Sequence, residues 1–152
     1  MPVIETKNFG EISYELESEL EFPCGLPGFE ERRRFVAVRF AETDPLVYLQ
    51  SLEDAGLCFP AMPVLAVEPR YRLKVTPGDL EQLGLARQPR IGEDVLCLAV
   101  LSIRETGPTA NLLAPVVVNL RNRRAVQSVP AESDYSHQFA LMPQAPQSAA
   151  LC

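Results

Sequence analysis

The chain has a single histidine, His137, so any serine or cysteine nucleophile that needs an imidazole base has only this one to use. Asp134, Ser133 and Ser136 stand close to it in the chain, and Cys24 lies far upstream. Proximity in sequence does not assemble a triad, and a lone histidine in a polar segment is ordinarily a surface residue. Cys24, Cys58, Cys97 and Cys152 are widely spaced and form no C-x-x-C pair, which argues against a zinc site. Cys97 sits inside Val95-Leu96-Cys97-Leu98-Ala99-Val100, and Cys58 between Leu57 and Phe59. Both read as small core residues. Gly25-Leu26-Pro27-Gly28 lacks the Gly-Lys-Ser/Thr ending of a phosphate loop, and no dinucleotide-binding glycine spacing is present. The acids are scattered rather than paired. These readings predict no catalytic residue, no metal ligands and no cofactor.

Charge points the same way. The net charge is −6, from 20 acids and 14 bases. An acidic chain is repelled by nucleic acid and by anionic lipid, whereas a basic protein partner is steered toward it. Solubility alone accounts for the balance more simply than steering does. Arg32-Arg33-Arg34 and the arginines from Arg121 to Arg124 offer contacts to phosphate, but a short basic run is ordinarily a solvated face. No aromatic residues alternate with them as a single-strand platform requires. Direct nucleic-acid binding is therefore not expected. No window is apolar over the roughly 18 residues of a membrane span, and the N-terminus lacks the pattern of a secretory signal. A cytoplasmic protein without membrane attachment is expected.

The elements that must position these residues are short and mostly β. Val3–Thr6, the alternation through Ile12, Tyr14 and Leu16, and the pair Leu20 and Phe22 predict three strands. Phe22-Pro23-Cys24-Gly25-Leu26-Pro27-Gly28-Phe29 then forms a rigid corner whose Leu26 and Phe29 turn into the core. Further strands follow at Phe35–Val38, Leu46–Leu52, from Leu57, and Asp94–Ile103, with Tyr71–Val75 again alternating. Pro60 and Pro63 predict irregular or edge-like chain from Phe59 to Val67. Thr76, Pro77 and Asp79 open the one clear helix and Gly84 closes it. Gly107-Pro108-Thr109 reads as a turn into Asn111-Leu112-Leu113-Ala114-Pro115-Val116-Val117-Val118-Asn119. That almost wholly apolar run is expected to be a strand buried on both faces, with Pro115 at a strand start, a bulge or an edge. Ala125–Val129 is a last strand, and residues 143–152 form a flexible tail. About nine strands and one short helix predict a mostly β chain, a small single-domain antiparallel β-barrel-like fold over residues 1–142.

Several of these segments together resemble one family, the flagellar assembly factor FliW. Phe22-Pro23-Cys24-Gly25-Leu26-Pro27-Gly28-Phe29 is similar to its F-x-x-G-[IL]-P-G-F signature. Pro45-Leu46-Val47-Tyr48-Leu49-Gln50-Ser51 is similar to its P-[FL]-x-x-L-Q-S segment. The run from Thr109 to Asn119 is similar to T-x-N-L-x-A-P followed by three aliphatic residues and Asn, and Gln127 followed by Tyr135 is a weaker match. The chain departs from the pattern at Asn122-Arg123-Arg124-Ala125, where the family often has a glycine-containing turn, and at Ser128–Ser133, which is less apolar than usual.

The resemblance implies a domain without catalytic activity, expected to be monomeric, that works in flagellum biogenesis through two protein partners. One is flagellin. The other is the carbon storage regulator CsrA, a repressor of flagellin translation that the factor antagonises when flagellin leaves it. Tyr135, His137 and Phe139 lie where a partner can reach, and Asn111 joins them as a candidate contact. Asn111 is better suited to bonding nearby backbone than to partner contact, whereas Tyr135 and Phe139 are equally suited to covering one end of the fold. A second reading is a small β-barrel enzyme or ligand-binding protein, with an enclosed pocket lined by His137, Tyr135 and Asn111.

Overall fold

The structure, a computed structural model, describes residues 2–130 and 133–141. Strands β1 (Val3–Thr6) and β2 (Gly10–Ser13) form a hairpin of their own, outside the main sheet. Lys7 anchors it by donating its N–H to the Ala55 carbonyl, and Phe9 packs between Phe40 and Tyr48. The main sheet contains β3 (Glu19–Glu21), β4 (Arg34–Val38), β5 (Val47–Ser51), β6 (Cys58–Pro63), β7 (Val95–Arg104), β9 (Val116–Asn119) and β10 (Ala125–Gln127). Their order is β10-β9-β7-β6-β5-β4-β3, antiparallel throughout. The outer half of β7 pairs with β8 (Gly107–Ala110), which in turn pairs with the short β11 (Phe139–Ala140).

The sheet is buried on both faces, and that explains the apolar sequence of its centre. Val116, Val118 and Leu98 point into one core cluster with Leu20, Phe22, Phe35 and Leu49. Val117, Val95, Cys97 and Ala99 point into a second, with Val64, Tyr71, Leu83 and Leu112. Side chains alternate across a strand, so a strand that feeds two cores cannot carry a polar face. All four residues of β9 are buried, as the apolar run predicts.

Several expectations need correction. The main sheet is open, not a barrel. Its terminal strands meet at one isolated bridge between Glu21 and Arg124, supported by the Glu21 N–H donating to the Arg123 carbonyl at 3.0 Å, and no ladder follows. Among the described residues there are two α-helices, not one: α1 (Val64–Val67) precedes α2 (Pro77–Leu83). The stretch from Phe59 is neither irregular nor an edge at first, because β6 lies between β5 and β7. Pro60 is tolerated there because it pairs only with Tyr48 of β5, and the ladder to β7 starts one residue on, at Ala61. Gly107-Pro108-Thr109 is strand, not turn. The predicted tail at 143–152 lies outside the described residues.

The predicted α2 boundaries hold for the physical reason that suggested them. The Thr76 hydroxyl oxygen accepts the Asp79 N–H at 3.2 Å, Pro77 opens the helix, and Gly84 closes it at φ 76°. The glycine-proline corner behaves as expected at Leu26, which is buried in the first core cluster, but not at Phe29, which stays exposed at 41% and only meets Phe59 edge-on at 5.4 Å. Gly25 there has φ 71°, and a Cβ would lie 2.5 Å from the Glu30 backbone, so no other residue fits.

Candidate functional site

β8 and β9 run along the same edge of β7 but are out of step. Leu101 faces Ala110, whereas Leu98 faces Val116, so three residues of β7 correspond to six of the partner chain. The surplus, Leu112-Leu113-Ala114, is extruded as a bulge. Pro115 follows at the start of β9, one of the places its missing N–H allows.

Four groups hold this bulge. Asn111 Oδ1 accepts the N–H groups of Leu113 (3.1 Å) and Ala114 (2.9 Å). Gln127 Nε2 donates to the Ala114 carbonyl at 3.0 Å. The Tyr71 hydroxyl donates to the Leu112 carbonyl at 2.7 Å, and the Leu112 N–H donates to the Ser136 carbonyl. Burial pushes the Tyr71 hydroxyl pKa well above its usual value, with smaller contributions from Cys97 and Tyr135, so it stays a protonated donor.

The predicted contact residues divide between scaffold and surface. Tyr135 stacks on Tyr71 with ring centroids 4.4 Å apart, and its hydroxyl oxygen accepts the Arg72 N–H at 2.9 Å. Phe139 lies in β11 opposite Ala110 and packs on the second core cluster. His137 is exposed on the same segment. Asn111 is brought to this region too, but its side-chain oxygen is taken by the bulge. The cleft beside Tyr135 is about 420 Å³ and opens to solvent. Its described lining includes Arg72, Lys74, Pro115 and Pro130 but neither Asn111 nor His137. That differs from the enclosed pocket of the ligand-binding reading. Cys58 and Cys97 are held protonated by burial, with pKa values pushed up to about 11 and about 12. The arginine run is engaged locally: Arg32 forms an ion pair with Asp54 at 3.6 Å, Arg34 donates to Glu19 at 3.1 Å, and Arg33 Nε donates to the Glu30 carbonyl.

Residues 3–141 match the family described as FliW protein. The chain belongs to the FliW family. A flagellar assembly factor FliW from Syntrophomonas wolfei is 31% identical over 140 residues, covering 90% of this chain and 85% of the relative. One from Thermotoga maritima is 35% identical over 136 residues, covering 88% of each. A crystal structure of the flagellar assembly factor FliW superposes with a TM-score of 0.82 at 29% identity, over 95% of this chain and 99% of that one.

The segments that carried the FliW resemblance prove to be scaffold. Gln50 is fully buried and donates to the carbonyls of Ser51, Asp54 and Ala55, shaping the turn after β5. Asn119 closes α2 by donating to the Leu83 carbonyl at 2.8 Å, and Asn122 joins it at 3.0 Å. Ser128, in the stretch where the chain departs from the FliW pattern, donates to Asp79 Oδ2 at 2.9 Å and so ties the chain beyond β10 to α2. Sequence reading passed over Arg72 and Lys74, which flank the cleft. Their signal is the alternation from Tyr71 to Val75, which has no strand partner among the described residues.

Proposed function

We propose that this protein is a non-enzymatic flagellar assembly factor that acts in the cytoplasm by protein contact. It binds flagellin and, when flagellin is absent, the translational repressor CsrA. Membership of the FliW family over residues 3–141 carries this reading. In this scheme the two partners are linked through one protein: flagellin export frees the factor, the factor takes up the repressor, and flagellin synthesis resumes. The net charge of −6 favours encounter with a basic RNA-binding partner. The face that displays Tyr135, His137 and Phe139 is the contact surface we assign, with Asn111 setting the bulge beneath it.

The test is a binding measurement with purified flagellin and CsrA from the same organism. Retention of each partner at micromolar concentration, and displacement of CsrA by added flagellin, are expected. Failure to retain either partner at that concentration overturns the reading.

A further inference from the structure

The segment Tyr71–Val75 has the in-out alternation of a strand: Tyr71 and Val75 are buried, Leu73 is half-buried, and Arg72 and Lys74 are exposed. It belongs to no sheet among the described residues. Side chains stand where a neighbouring strand would. Gln88 Oε1 accepts the Val75 N–H at 2.9 Å, and Gln88 Nε2 donates to the Val75 carbonyl at 2.7 Å. One carboxamide thus reproduces both bonds of an antiparallel residue pair. On the opposite edge the Tyr135 hydroxyl accepts the Arg72 N–H.

In extended chain the N–H and C=O of one residue point to the same side, and those of the next residue point away. Arg72 and Lys74 therefore direct their main-chain groups to the Tyr135 side, where the cleft lies. There the Arg72 carbonyl and the Lys74 N–H and carbonyl have no hydrogen-bond partner among the described residues. The cleft beside them is walled by Pro115, Pro130 and Tyr135. Of those prolines neither can offer a competing N–H. The exposed side chains of Arg72 and Lys74 supply two positive charges against one acid, Asp134, in the described lining of a chain whose net charge is −6.

We propose that the 72–74 edge receives an extended, acidic segment of a protein partner by strand addition. Main-chain bonds to Lys74 and Arg72 set its register, and apolar residues of the segment sit against the prolines and Tyr135. This site deepens the function proposed above and rests on it: the partner is flagellin, since the repressor is read there as a basic protein and two cations select an acidic segment. Unpaired main-chain groups in extended chain are a template for another strand.

Hydrogen exchange and affinity together decide it. The Lys74 amide is expected to exchange rapidly in the free protein and to slow in the complex with the partner. The double variant Arg72→Glu/Lys74→Glu changes only exposed side chains. It is expected to weaken that partner at least about tenfold and to flatten the salt dependence of binding. Lys74→Pro should bind more weakly than Lys74→Ala, because only the first removes the N–H. Should Lys74→Pro fail to fold, the double variant and the exchange measurement still decide. Wild-type affinity in the double variant, or a Lys74 amide already slow in the free protein or unchanged in the complex, overturns the site while leaving the function standing. Failure of the unmodified protein to bind either partner overturns both.

Discussion

The two faces of the main sheet are closed by different means. One face is enclosed by the sheet itself: β3, β4 and β5 bring Leu20, Phe22, Phe35 and Leu49 against Leu98, Val116 and Val118. There the backbone is satisfied by strand ladders. The other face is covered by α1, α2 and two extended segments, 71–75 and 133–141, that make few ladder bonds. Here Gln88, Tyr71, Tyr135 and Asn111 supply the bonds that a strand would supply elsewhere. Ladders satisfy every group along an edge, whereas side-chain substitutes satisfy only selected ones. The second face is thus equally buried but leaves main-chain groups unpaired among the described residues, and a binding surface can be built from them.

This contrast can be broken by mutation. Phe22→Ala is expected to have the largest effect, about 3–5 kcal/mol, because Phe22 is fully buried and packs edge-on against Phe35. Denaturant unfolding with the slope held constant measures it, and a cost under about 1 kcal/mol would mean the first core is not the main source of stability. Gly25→Ala comes next at about 2–4 kcal/mol, from a left-handed backbone and a collision with the Glu30 main chain. The same unfolding assay reads it.

Tyr71→Phe sharpens the comparison on the second face. It removes the donor to the Leu112 carbonyl and leaves that buried oxygen unpaired, costing about 1–3 kcal/mol. Amide exchange should accelerate in residues 112–114 and 133–141 before it does so in β4 and β5. Uniform acceleration would show that the two faces open as one unit.

The smallest effect concerns the thiols. Burial raises Cys58 to about 11 and Cys97 to about 12, so the neutral form persists in folded protein and the reactive thiolate appears only as pH approaches those values. At pH 8 both should resist alkylation, while the exposed Cys24 reacts. Mass mapping of the alkylated sites checks this, and rapid labelling of Cys97 would mean the second core breathes far more than its packing implies.

Much of the frame was readable from residue types alone. Thr76, Pro77 and Gly84 predicted α2 because capping is local chemistry, decided within a few residues. The apolar run at 116–119 predicted burial on both faces because a strand's alternation carries that information directly. Gly25 announced its corner for the same reason, since a left-handed backbone restricts residue type at one position. The three-residue surplus at Leu112–Ala114 was not readable, because register is a relation between β7 and two different partners. The open sheet was likewise invisible, since nothing local tells whether the first and last strands share a ladder or touch at a single bridge. The edge at Arg72 and Lys74 was settled only in three dimensions. Alternation marks a strand, but whether its hydrogen bonds go to another strand, to Gln88 and Tyr135, or to a partner depends on what the rest of the chain brings beside it.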